Sequence, residues 1–182
     1  MRKLFTLIGF LLMLVPSFAQ NHKDYTLPEE PKRGKYIDFP SQNKGLWFAV
    51  QVTPATTTIE GPFTIQADLI AGYRTGEFFK IGAGVSPKMA GPGFVLPVYL
   101  DFRGNLISQE SRMAVPYWSL DAGYTFGSRY AYSGLYVSPT VGVRVGMPRN
   151  NLIAGLTYIM QQIGPGSFLP SHGVGLRLGY EF

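Results

Sequence analysis

From Gly45 onward the chain alternates apolar and polar residues in eight separate runs. The clearest is His172 to Phe182. Val174, Leu176, Leu178, Tyr180 and Phe182 fall on one side, and Gly173, Gly175, Arg177, Gly179 and Glu181 on the other. A period of two is that of an extended strand, and its two faces here meet different surroundings. A soluble sheet buries the apolar face. A transmembrane barrel turns it to lipid and turns the polar face to its lumen.

The other runs decide between these. Leu46 to Thr53 places Leu46, Phe48, Val50 and Val52 together, and Phe63 to Arg74 sets Phe63, Ile65, Leu69 and Tyr73 opposite Gln66, Asp68 and Arg74. Phe78 to Val85 sets Phe79, Ile81 and Val85 opposite Lys80, and the run from Phe94 sets Leu96, Val98, Leu100 and Phe102 opposite Tyr99, Asp101 and Arg103. The fifth run opposes Trp118, Leu120, Tyr124 and Phe126 to Tyr117, Ser119 and Asp121, and the sixth opposes Leu135, Val141 and Val145 to Tyr136, Ser138 and Arg144. The seventh opposes Leu152, Leu156 and Tyr158 to Gly155, Thr157 and Gln161. Runs of this length suit tilted strands crossing a bilayer, and an even count brings the chain back to its starting side. The pattern predicts an all-β fold, an eight-stranded antiparallel up-and-down transmembrane β-barrel over residues 45–182.

Threading the strands up and down sorts the outward aromatics into two bands. Tyr73, Phe79, Phe102, Trp118, Tyr180 and Phe182 fall at the end nearer the chain termini, and Phe63, Phe94, Tyr124, Phe126 and Tyr158 at the other. Two such bands are the girdles of a membrane barrel. Tight connections are expected at Thr75-Gly76 and Met147–Asn150, with longer ones near Pro54–Pro62, Ser86–Gly93, Gly127–Gly134 and Ile163–Ser171. The flanking strands are expected to extend into the segment from Asn105 to Arg112. Pro97, Pro116 and Pro139 interrupt the runs, and bulges or strand ends are expected there because proline cannot donate to a ladder.

The first 44 residues read differently. Arg2 and Lys3 precede an apolar run from Leu4 to Val15, and Pro16 and Ser17-Phe18-Ala19 follow. This is the pattern of a secretory signal peptide, residues 1–19, cleaved before Gln20. Residues 20–44 are rich in proline and charge and read as a poorly ordered periplasmic spacer. No later segment is apolar for long enough to form a transmembrane helix.

Composition narrows the function classes. With no cysteine, the chain has no disulfide framework and no thiolate metal site. The formal charge is +5, and removal of Arg2 and Lys3 brings it to +3, too mild to argue for nucleic acid. Aromatics at 14% and 22 glycines favour a β protein with many turns.

The inward polar residues form one constellation. Asp68, Asp101, Asp121 and Glu181 are candidates to neutralise Lys80, Arg103, Arg144 and Arg177, because a charge in a narrow lumen needs a partner. The favoured reading is a salt-bridged plug. A sharper one is a narrow pore with these charges setting selectivity. A lipid-modifying enzyme would need a nucleophile and a base, and Ser171 and His172 are adjacent on a strand and so face opposite ways. No metal-ligand cluster, phosphate loop or cofactor motif is present, so neither catalytic residues nor cofactors are expected.

Leu96 to Arg103, Pro116 to Tyr124 and Gly134 to Pro139, with the terminal Phe182, resemble the small outer-membrane β-barrel domain family over residues 45–182. The resemblance implies a barrel in the outer membrane of a Gram-negative bacterium, reached by Sec-type export. It implies contact with outer-membrane lipid, and with the barrel-assembly machinery through Tyr180 and Phe182. It names no reaction. The expected role is structural, or a surface or periplasmic contact.

Overall fold

The computed structural model describes residues 43–58, 61–90, 93–110, 112–127, 133–162 and 170–182. The expected signal peptide and nearly all of the expected N-terminal spacer lie outside these residues. The elements are β1 (Gly45–Thr57), β2 (Gly61–Arg74), β3 (Lys80–Val85), β4 (Lys88–Ala90), β5 (Gly93–Asn105), β6 (Ala114–Gly127), β7 (Gly134–Met147), β8 (Asn150–Gln162) and β9 (Pro170–Glu181).

All pairings are antiparallel, and β1 pairs with both β2 and β9, so the sheet closes on itself. β3 and β4 both sit between β2 and β5, in one unbroken register, so they form a single strand interrupted at Ser86-Pro87. The result is a closed eight-stranded barrel, as the alternation predicts. Closure leaves no sheet edge unpaired.

Side-chain direction follows the sequence parity in every strand. Outward residues are apolar and exposed: Leu46 is 73% exposed, Ile65 55% and Leu156 46%. Inward residues are mostly polar and buried, and Asp68, Asp101, Arg103, Asp121, Arg144, Arg177 and Glu181 are all 0% exposed. The distribution is that of a soluble protein turned inside out. An apolar wall of this extent is costly in water and costs nothing against hydrocarbon. Neighbouring outward aromatics meet at the expected heights, with Phe79 beside Phe102 at 6.3 Å at one end and Tyr124 beside Phe126 at 5.2 Å at the other.

Several connections depart from expectation: β4 occupies Lys88–Ala90, so much of the connection expected near Ser86–Gly93 is strand, while those expected near Gly127–Gly134 and Ile163–Ser171 lie largely outside the described residues. β1 runs through Pro54 as far as Thr57, so only residues 58–60 join it to β2. The β2–β3 link spans residues 75–79 rather than two residues, held by the Thr75 hydroxyl donating to the Phe79 carbonyl at 2.7 Å. Residues 106–110, 112 and 113 do not prolong β5 and β6. They fold back as a loop, in which the Glu77 carboxylate accepts from the Ser108 hydroxyl and the Gln109 amide. That loop lies at the end of the barrel that holds Gly45 and Phe182, so length does not sort cleanly between the two ends. The tight turn between β7 and β8 is as expected. Gly146 enters it with φ of +139°, a conformation glycine adopts without strain.

No bulge forms at the three prolines. The registers keep step on either side of Pro97, Pro116 and Pro139, although the β7–β8 ladder skips Ser138 and Pro139. The effect appears in the neighbouring strand. The Ser86 amide donates to the Pro97 carbonyl, Pro97 has no N–H to return, and the break between β3 and β4 falls there. The one register shift on β1 lies between Ala55 and Thr57.

Candidate functional site

The lumen is built by inward positions of all the strands, and its charges gather in two groups. Near the chain termini, Glu181 on β9 is the focus. Its Oε1 lies 2.6 Å from Lys80 Nζ and 3.5 Å from Arg74 Nη2, and its Oε2 lies 2.8 Å from Arg144 Nη2 and 3.6 Å from Arg103 Nη1. Arg144 also donates to Asn105 Oδ1 at 2.6 Å. Asp101 accepts two hydrogen bonds from Arg103, both 2.6 Å, across two positions of the same strand. Paired guanidinium–carboxylate geometry of this kind is strong and directional.

Further along the barrel, Arg177 lies 2.7 Å from Asp121 and donates to Ser138 at 3.2 Å. Asp101 and Asp121 are direct neighbours across β5 and β6, so two carboxylates stand side by side, each with its own arginine. Asp68 differs. It accepts from Gln66 at 2.9 Å, Tyr99 at 3.1 Å and Thr53 at 3.2 Å. Among the described residues no cation reaches it within ion-pair distance. Lys88 lies near the far end and donates to Gln161 at 2.7 Å. Thus seven of the eight luminal charges singled out from the sequence pair with one another, and Asp68 is held by neutral donors instead.

Sequence reasoning passed over Trp47. It is fully buried in the lumen, with the Arg103 guanidinium stacked 4.5 Å above its ring. Its register neighbours Gly72 and, beyond it, Gly82 leave the space the indole fills: a Cβ at Gly72 would stand 2.7 Å from Trp47 Nε1, and one at Gly82 2.9 Å from its ring. The parity of Leu46 and Phe48 already points Trp47 inward, so the signal was present. Arg74 joins the Glu181 group in the same way. Gln109 was not foreseeable, because its position depends on a loop: it donates to the Gly146 carbonyl at 2.9 Å and to Asn151 Oδ1 at 2.8 Å, across the end of the lumen.

Ser171 is buried and faces inward, while His172 lies on the outer parity with its Nδ1 hydrogen-bonded to the Tyr158 hydroxyl. The two do not meet. His172 belongs to β9 itself, paired with Met160. Tyr180 and Phe182 point outward, 6.0 Å apart, and the Phe182 backbone pairs with Phe48 on β1. Among the described residues no helix is long and apolar enough to cross a membrane, and no three metal-ligating side chains come together.

A closed barrel of eight antiparallel strands, apolar outside and charged within, defines the fold of the small outer-membrane barrels. Solved structures of that class are similar to this chain. Neisserial surface protein A superposes with a TM-score of 0.57 at 12% identity, covering 75% of this chain and 95% of that one. The N-terminal β-barrel domain of OprF from Pseudomonas aeruginosa superposes with a TM-score of 0.52 at 11% identity, covering 76% and 99%. At these identities the likeness is one of fold. No family model matches the chain, and no curated protein matches it.

Proposed function

We propose that the protein is an integral outer-membrane β-barrel of a Gram-negative bacterium, exported by the Sec route and without enzymatic activity. Its lumen is plugged by its own side chains, and its role is structural or one of contact at the cell surface or in the periplasm. The observation that carries this reading is the inversion of the barrel: an apolar outer wall between two aromatic bands, around buried ion pairs. Only helices and closed barrels satisfy their backbone within lipid. The crossed salt bridges at Glu181 and the pairs Arg103–Asp101 and Arg177–Asp121 support a plug. The outward Tyr180 and Phe182 are the residues proposed to be read by the barrel-assembly machinery.

The test is gel mobility of the outer-membrane fraction, boiled against unboiled, followed by bilayer conductance of the purified barrel. A heat-dependent shift without conductance is the expected result. Recovery from the soluble periplasm without a shift overturns the membrane reading, and steady conductance overturns the plug.

A further inference from the structure

The half of the lumen nearest the chain termini holds more positive charge than its carboxylates balance. Arg74, Lys80, Arg103 and Arg144 are buried there. Among the described residues, Asp101 and Glu181 are the buried carboxylates paired with them. Arg177 and Asp121 balance each other further along. At the same mouth the exposed Arg149 is matched in charge by Glu77, whose carboxylate accepts from Ser108 and Gln109, so neither alters the buried excess. Two positive charges are left over where an unpaired charge is expensive.

A second observation is independent of that count. Five buried N–H donors around Glu181 make no hydrogen bond: Arg74 Nε, Arg144 Nε, Arg103 Nη1, Trp47 Nε1 and Asn151 Nδ2. Arg103 Nη1 is 3.6 Å from Glu181, beyond bonding reach. Asn151 is the register partner of Glu181, and Trp47 lies beneath the Arg103 guanidinium, so both adjoin the side chains gathered at Glu181. Buried donors are seldom left unmet.

We infer that this cluster of side chains binds one small monatomic anion of the halide class, held among Arg74, Arg103, Arg144, Trp47 and Asn151. A halide accepts from any direction, which suits single donors scattered over five strands. An oxyanion would want a paired guanidinium face, and the Nε–Nη2 face of Arg103 is already on Asp101. The interior of an eight-stranded barrel is just filled by side chains, which also favours the smaller ion. Gln109 crosses the mouth beside Asn151, so the anion is a resident counterion and not a passing solute. The inference rests on the membrane-barrel reading.

Trp47 reports on the site directly. Of the two tryptophans the other is Trp118, on the outer parity, so a Trp118→Phe barrel has a single tryptophan, in the lumen, which is excited selectively over the tyrosines. The full-length protein is refolded into detergent in gluconate salt with graded bromide at constant ionic strength, and folding is checked by the gel shift. The expected result is saturable quenching of Trp47 that chloride reverses and that Arg144→Gln or Arg74→Gln weakens at least tenfold in bromide concentration. Two variants are used so that one failing to fold does not decide the matter. Quenching that is absent, or linear in bromide and indifferent to chloride, in a barrel that does shift overturns the anion site alone. No shift overturns the barrel reading and the site with it.

Discussion

The Arg103 guanidinium lies over the Trp47 ring at 4.5 Å while donating twice to Asp101. One side chain thus ties β1 to β5 across the lumen, although these strands are not neighbours in the sheet. The aromatic face and the carboxylate hold the cation from two sides, and both contacts are buried. A Trp47→Ala variant loses the stacked contact and opens a void. It is expected to lower barrel stability by about 3–5 kcal/mol, as for other large aromatic truncations, measured by urea unfolding in lipid vesicles. Trp47→Phe should recover a substantial part of that loss.

Gly72 tests the same packing from the other side. A Cβ there would stand 2.2 Å from the Ile81 carbonyl oxygen as well as close to the indole, whereas Gly76 has open space around it. Gly72→Ala is expected to cost about 1–3 kcal/mol through overpacking. Gly76→Ala should leave the urea midpoint unchanged.

Glu181 stands among four cations, so its removal is worse than the loss of one pair. Glu181→Gln is expected to destabilise by about 3–5 kcal/mol, because buried positive charge is left uncompensated. Adding Lys80→Met to that variant should restore part of the stability. If Lys80→Met shifts the midpoint by the same amount alone as it does in the Glu181→Gln background, Lys80 and Glu181 act independently.

Depth should govern the response of the outer wall. Leu69 lies midway along β2 and Met147 at the last position of β7. Leu69→Arg is expected to cost about 2–4 kcal/mol and Met147→Arg about 0–1. Both are read by unfolding in vesicles. Equal costs would mean that the wall does not face hydrocarbon.

The loop across the mouth depends on Glu77, whose carboxylate accepts from Ser108 and Gln109. In Glu77→Ala, amide exchange at Gln109 should speed up markedly, while exchange at Leu100 in mid-strand stays slow. Native-state hydrogen exchange separates the two.

The strand faces could be read from the chain because a period of two leaves no ambiguity about which side Asp68, Arg177 or Leu69 takes. Pairing could not. Arg103 finds Asp101 two positions away, but Glu181 draws Arg74, Lys80 and Arg144 from three other strands, and which of them it meets depends on register and stagger. Sequence alternation is blind to both. Asp68 shows the limit on the other side: a carboxylate among cations suggests an ion pair, yet Thr53, Gln66 and Tyr99 supply its partners. The segment around Ser108 and Gln109 eludes the alternation, because a loop held by Glu77 has no periodicity of its own and the nearest pattern is that of the strands on either side.

The seam between β1 and β9 sets the order of events in assembly. The Phe48 and Phe182 backbones exchange hydrogen bonds of 2.8 and 2.9 Å, joining the first strand to the last. Contacts so distant in sequence form late. Until they form, β1 and whichever strand is newest both present bare edges. A chain stopped short of β9 would therefore be worse than one strand short: it would be an open sheet with two adhesive rims, ready to pair with its own copies.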